Sequence, residues 1–283
     1  MTPDETQPQS PATPASTPTE AATEAAALHE ARVRSRRAFI GLGLAGLAGI
    51  GGWRWLLGRP AVEGIPGPLR KVLDFNAGLT NDYYKTTRLA PEFSKSLARP
   101  PRSNGDVGID DEDFDPAAWR LTVQGYGPAA RKQEFTLAQI KALPRTEITT
   151  ELKCIEGWSV VVNWAGVRFA DFLKQYPLAT RSGQPIANPD QPPADAARYV
   201  GMMTPDEKYY VGLELESALH PQTLLCYEMN GQPLTQEHGA PLRLVTPLKY
   251  GIKHIKRIGT IAFADVRPKD YWAELGYDWH AGH

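Results

Sequence analysis

The sequence predicts an α+β domain built on mixed β-sheet, preceded by a segment with no core of its own and an apolar stretch. Three observations carry this. Short runs alternating apolar and polar residues recur from residue 119 onward. The helical patterns between them are few and short, and Gly-, Pro- and Asn-containing turns separate the runs. Many strands with few helices fit an α+β domain better than a regular βαβ alternation. The 283 residues carry a formal net charge of −1, so nothing global points to nucleic acid or to an acidic partner.

Residues 1–31 are dominated by Pro, Ala, Thr, Ser and Glu, with five acids and no Lys or Arg. Such a stretch buries too little apolar surface to offset its ordering entropy and is expected to be disordered. Residues 32–58 contain Arg32, Arg34, Arg36 and Arg37 and then an uncharged run, 38–53. That run falls short of the roughly 20 apolar residues of a comfortable membrane span and suits the apolar core of an export signal. Ser35-Arg36-Arg37-Ala38-Phe39-Ile40, ahead of Gly- and Leu-rich sequence, has the form of a twin-arginine signal. That route carries folded proteins, which suits a chain that takes up a cofactor before export to the periplasm. No small-x-small cleavage pattern follows, and Trp53 and Trp55 suit a membrane interface, so an uncleaved anchor is expected. The remaining residues, 65–283, are enough for one domain with a sizeable core.

Within that domain, 64–68 and 99–106 predict loops, and 110–115 a solvated acidic loop. A strand is expected at 119–125, a short helix at 136–143, and a strand at 147–152 that runs into Lys153-Cys154-Ile155-Glu156-Gly157-Trp158-Ser159. Val167, Phe169, Phe172, Leu173 and Tyr176 fall at helical spacing, predicting a helix over 167–176. The polar, Pro-rich stretch 181–197 reads as loop. Strands are expected at 198–203, 208–212, 223–229, 241–246 and 255–263, with a short helix at 214–219 and a turn at Asn230-Gly231.

Two features carry chemistry. Cys154 lies where a strand gives way to irregular sequence, and its thiolate can be a nucleophile, a soft-metal ligand or half of a disulfide. The only other cysteine, Cys226, sits in an apolar run and reads as a small buried hydrophobe. Locally, a Cys154–Cys226 disulfide and a metal ligand rank equally. Glu156, two residues on, suits an acid/base or a group supporting a ligand. The second feature is 239–264, which has no acidic residue but holds Arg243, Lys249, Lys253, Lys256 and Arg257 around Tyr250, Gly251 and Ile252. Backbone amides near Gly251 with these cations would suit a phosphate dianion; a solvated basic edge is the plain alternative. His280 and His283 show no zinc-ligand spacing with either cysteine.

The segment 153–159, followed by Trp164, His220-Pro221, Gly239-Ala240-Pro241-Leu242-Arg243-Leu244-Val245 and Lys249-Tyr250-Gly251-Ile252-Lys253-His254-Ile255-Lys256, resembles the sulfite-oxidase-like molybdopterin oxidoreductases. Within them it is most similar to the periplasmic branch that reduces methionine sulfoxide. The likeness spans about 75–265 and implies a sulfite-oxidase-type fold binding a molybdenum-molybdopterin cofactor. It implies Cys154 as molybdenum ligand and Asn81, Tyr84 and Lys85 as a pterin-contacting loop. Thr204 is implied as a cofactor contact, Arg243 as the pterin-holding arginine, and His254, Ile255 and Lys256 as the phosphate-binding turn. His238 stands where that branch commonly has an asparagine contact. The expected reaction is two-electron oxygen-atom transfer, with reduction of a small sulfoxide-like substrate preferred over a sulfite-type dehydrogenase passing electrons to a cytochrome. With no haem-attachment cysteine pair and no nicotinamide-type Gly-rich turn, a separate electron-transfer partner is expected, a haem membrane protein or a cytochrome. The sequence that follows lacks a dimerisation domain of the larger sulfite oxidases, so a monomer is expected. The contrasting possibility is a non-catalytic exported binding module with a Cys154–Cys226 disulfide.

Overall fold

The computed structural model describes residues 18–62, 65–83, 87–103, 105, 107–109, 114–127 and 131–283. Two compact units, Met1–Arg59 and Pro60–His283, make up the chain. The first contains helix α1 (Pro18–Leu57). Its first turns fall inside the stretch expected to be disordered; Ala and Glu, both strong helix formers, dominate 18–31. The part Arg32–Leu57, 26 residues, is long and apolar enough by length and composition to cross a membrane. The helix thus runs on beyond the uncharged run at both ends.

In the second unit, β1 (Ala61–Val62) and β2 (Ile65–Pro66) pair and lead into α2 (Gly67–Tyr83). The loop predicted at 64–68 therefore holds the start of a helix, where Pro68 in the first turn has no intrahelical acceptor to lose. Two five-stranded sheets form the body. The second sheet has the order β4 (Lys132–Phe135), β3 (Leu121–Gln124), β12 (Thr260–Ala264), β7 (Tyr199–Met203), β8 (Tyr210–Glu214). Its one parallel pairing is β12 with β3. The first sheet has the order β10 (Gln232–Pro233), β9 (Leu224–Met229), β6 (Ser159–Arg168), β5 (Arg145–Lys153), with β11 (Arg243–Val245) also paired to β9. Four short helices pack around them, α3 (Leu137–Lys141), α4 (Phe169–Gln175), α5 (Leu215–Leu219) and α6 (Tyr271–Glu274). This is the expected α+β architecture of mixed sheet and short helices.

Boundaries moved where ladder pairing outweighs local periodicity. Val167 pairs with Arg145 and with Leu225, so it belongs to β6, and the helix predicted from 167 starts at Phe169. β6 itself opens on the continuous run Val160-Val161-Val162, which periodicity alone does not distinguish from buried helix. The strand expected over 255–263 begins only at Thr260; before it, Ile255 O accepts from Leu244 N–H and Ile258 N–H donates to Leu242 O, bonds outside the β12 ladder. Asn230 and Gly231 both take positive φ and turn β9 into β10, as expected.

Alternation along β9 splits the interior in two. Leu225 and Tyr227 face the larger core with Leu121, Val200, Leu213 and Ile261. Leu224 and Cys226 face a second cluster with Leu152, Trp164 and Val245. Burial on both faces explains the near-continuous apolar run of this strand. Cys226 is fully buried, its Sγ donates to Glu228 O at 3.1 Å, and burial pushes its thiol up to about 12. Neither cysteine is in a disulfide, which removes the pairing on which the binding-module alternative rested.

One buried ion pair fixes the frame around the site. Lys253 Nζ donates to Asp270 Oδ2 at 2.5 Å and to Gly212 O at 3.0 Å. Asp270 in turn caps α6 by accepting from Ala273 N–H at 3.1 Å. Removing one partner of such a pair strands the other, so Asp270→Ala is expected to cost about 3–5 kcal/mol. Denaturant melts of the purified variant would show it; a loss under about 1 kcal/mol would contradict this role.

Candidate active site

A cavity of about 320 Å³ lies against the second core cluster. Its wall includes Cys154, Arg243, His254, Lys256, Tyr209 and Trp272. Cys154 reaches it through strand register. Lys153 pairs with Ser159 as the last rung between β5 and β6, leaving 154–158 as the hairpin loop. Cys154 N–H donates to Trp158 O at 2.9 Å and Gly157 N–H to Cys154 O at 3.1 Å. Gly157 closes the turn at φ 85°, a conformation that favours glycine. Glu156 also lines the cavity and its Oε2 accepts the Trp158 indole N–H at 3.1 Å.

Arg243 comes from the opposite edge of the sheet. Its strand pairs with β9, placing it beside Cys226. The guanidinium is buried, with Nη1 donating to His238 O at 3.0 Å and Nη2 to His254 O at 3.2 Å, and it lies 4.9 Å from the Trp164 ring. Nε has no partner, and no carboxylate pairs with this arginine among the described residues. Burial pushes its pKa down to about 10. A buried cation without a counter-charge is costly, so this one is suited to an incoming anion.

His254 is the second incompletely bonded group. Its Nε2 faces Thr246 O at 3.0 Å and Lys249 O at 3.3 Å, so that nitrogen carries the proton. Nδ1 is left as a buried acceptor without a partner. Burial, reinforced by Arg243, pushes the His254 pKa down to about 3 from 6.5. Above pH 6.5 neither the folded nor the unfolded chain protonates it, and its contribution to stability is complete. As pH falls from 6.5 towards 3 the unfolded chain gains a proton that the folded one excludes, and stability drops. The melting temperature of cofactor-free protein should therefore fall across this window, and His254→Gln should flatten the fall; equal pH slopes for both proteins would contradict it.

The acid-free segment does not present one basic face. Lys249 pairs with Glu214 at 3.0 Å and Lys253 with Asp270, while Arg257 donates to Ile109 O at 3.3 Å and lies over the Phe114 ring. Of its Lys and Arg residues, Arg243 and Lys256 line the cavity. Gly239 brings the chain hard against Lys256: at φ 96°, a Cβ there would sit 2.8 Å from the Lys256 Cα.

Six of the residues singled out from sequence thus meet at one cavity, namely Cys154, Glu156, His238, Arg243, His254 and Lys256. Thr204 and Ile255 do not line it. The Thr204 hydroxyl donates to Asp206 Oδ1 at 2.6 Å, and Ile255 is core, its carbonyl accepting from Leu244 N–H at 3.0 Å. Asn81 lies in the last turn of α2, with its side chain outside the described residues, as are Tyr84 and Lys85 entirely. Arg102, Tyr209, Tyr271 and Trp272 also line the cavity and were not anticipated. Tyr271-Trp272 arrives through the Lys253–Asp270 pair, a long-range contact with no local signal; Tyr209 donates to Ile252 O at 2.6 Å.

This donor set fits a molybdopterin. Cys154 offers a soft sulfur for molybdenum, Arg243 and Lys256 offer cations for the phosphate, and His254 Nδ1 offers an acceptor for a ring N–H. Among the described residues no three His, Cys, Asp or Glu side chains cluster to hold a metal by themselves, so the cofactor would have to supply the other ligands.

Comparison with known proteins gives the same direction. Residues 107–272 match the family described as oxidoreductase molybdopterin binding domain. An Azospira oryzae protein, provisionally named as protein-methionine-sulfoxide reductase subunit YedZ1, is 32% identical over 222 residues, covering 78% of each chain. The protein-methionine-sulfoxide reductase catalytic subunit MsrP of Xanthomonas campestris pv. campestris is 36% identical over 180 residues, covering 60% of this chain and 54% of its own. The chain thus spans about half the length of the MsrP proteins it matches. Among solved structures, the sulfane dehydrogenase SoxCD of Paracoccus pantotrophus aligns with 55% of this chain and 40% of its own, at 18% identity and a TM-score of 0.44.

Proposed function

Because the chain belongs to the oxidoreductase molybdopterin-binding family, we propose that it reduces a sulfoxide-like substrate by two-electron oxygen-atom transfer. The observation that carries this is the convergence of Cys154 with Arg243, a buried cation lacking a carboxylate partner, on one cavity. The overall change is sulfoxide plus two electrons and two protons giving thioether and water. The bound cofactor supplies the two-electron redox centre. Cys154 supplies a thiolate ligand to it. Arg243 and Lys256 hold the phosphate, with His238 and His254 completing the polar wall. Ile255 acts from behind, tying the turn that carries His254 and Lys256 to Leu244, and Thr204 braces the turn that leads to Tyr209. Asn81, Tyr84 and Lys85 are assigned to the pterin side by resemblance. Glu156, oriented by Trp158, is placed to carry a proton at the rim.

Several further features belong to this reading. The names of the relatives describe subunits, which supports a separate electron-transfer partner, a haem membrane protein or cytochrome. The Arg36-Arg37 motif and the apolar part of α1 support export by the twin-arginine route, with the helix retained as an anchor on the periplasmic side. Arg102, exposed at the cavity edge, favours a second reading, in which an anion such as sulfite is oxidised. A steady-state screen of cofactor-loaded protein with sulfoxides, N-oxides and sulfite, using an artificial electron carrier, decides between them. Turnover of methionine sulfoxide with reduced dye is expected; turnover of sulfite alone would reverse the assignment.

A further inference from the structure

Cys154 borders a second recess. Outside the hairpin loop lies an open groove of about 460 Å³, lined by Lys153, Cys154, Gly157, Trp158, Ser159 and Tyr250. The groove and the inner cavity share Cys154, Ile155 and Trp158 and differ in chemistry. The cavity gathers Arg102, Arg243 and Lys256 with two histidines, a set suited to an anion. The groove has a single cation, Lys153, beside the Trp158 and Tyr250 rings and the hydroxyls of Ser159 and Tyr250.

Strand geometry separates the two sides. Leu152 lines the cavity, and Lys153, the next residue on β5, points to the other face. Its Nζ lies 3.3 Å from His283 Nδ1, and the His283 ring packs edge-on to Tyr250 with centroids 5.0 Å apart. Tyr250 N–H donates to Ala281 O at 2.8 Å, tying the same strip down. Lys153 is therefore held at the groove by contacts outside the cavity that the cofactor would fill. The polar edge of Trp158 is already engaged by Glu156, so what it offers the groove is chiefly ring surface.

A sulfoxide group carries no net charge. Its oxygen is a strong hydrogen-bond acceptor, and its sulfur and methyl group favour aromatic surfaces. We propose that this groove docks the sulfoxide-bearing side chain, with Lys153 donating to the sulfoxide oxygen and Trp158 and Tyr250 flanking the sulfur and methyl. Substrate then approaches Cys154 from a recess distinct from the one that takes the cofactor phosphate. The inference rests on the sulfoxide-reductase reading and makes Lys153 the residue that distinguishes sulfoxide from thioether.

The test is calorimetric binding of a short methionine-sulfoxide peptide and its thioether counterpart to the cofactor-loaded protein, run beside turnover of the same peptide. The wild type is expected to prefer the oxidised peptide by at least about tenfold, as a hydrogen-bonding site discriminates against a ligand lacking the acceptor. Lys153→Met should bring that ratio close to one, Lys153→Arg should restore most of it, and Trp158→Phe should leave it in place. Equal binding of both peptides by the wild type, or a preference surviving Lys153→Met in a protein that melts normally, would overturn the proposal. Preferential binding without turnover would leave the groove assignment standing and sink the reductase reading. Turnover with a ratio indifferent to Lys153 would do the reverse.

Discussion

Replacing Cys154 by serine is expected to reduce turnover by on the order of a thousandfold or more while leaving the fold intact. Loss of groups that merely support a metal ligand typically costs about 10–100-fold, so losing a ligand itself should exceed that. The fold should survive because the hairpin is held by backbone bonds between Cys154, Gly157 and Trp158 rather than by the thiol. Turnover with reduced dye, alongside circular dichroism and a thermal melt, measures both halves. Activity within tenfold of wild type in a folded Cys154→Ser protein would remove Cys154 from the centre of the site.

Arg243→Ala is expected to cut cofactor occupancy to below about one tenth and also to weaken the protein. The side chain bridges the 238 and 254 carbonyls from two different turns and stacks near Trp164. Its loss strands two acceptors, each worth roughly 1–3 kcal/mol when buried without a partner. Arg243→Lys keeps the charge but cannot span both carbonyls, so its occupancy should fall between the two. Pterin content by fluorescence after acid release and stability by urea melts separate the effects. An Arg243→Ala protein with full pterin content would show that the cavity does not depend on this cation.

The parts of the fold that were legible in the sequence are those set by local pattern. Strands such as β7 and β9, the capped helix α3 and the Asn230-Gly231 turn all declare themselves within a few residues. The Thr136 hydroxyl accepts from Gln139 N–H at 3.2 Å while the Gln139 side chain accepts from Thr136 N–H, a reciprocal cap made within four residues. β6 does not declare itself, because Val160-Val161-Val162 is a continuous apolar run with no alternation and the strand depends on partners on both sides.

The site divides along the same line. Cys154 and Arg243 stood out because a strand-end thiol and an acid-free cationic run are local features. Which of those cations would face the cavity was not readable: Lys249 and Lys253 are taken by Glu214 and Asp270, acids distant in sequence. Tyr209, Tyr271 and Trp272 reach the cavity through tertiary contacts alone, and they make the wall that the sequence did not foretell.

Metal analysis tests most directly whether the cavity between Cys154 and Arg243 takes molybdopterin. Protein produced in a host that makes the cofactor should carry about one molybdenum and one pterin per chain, one for each Cys154 thiolate. Protein that is folded, shows two free thiols once denatured and contains neither molybdenum nor pterin would contradict it.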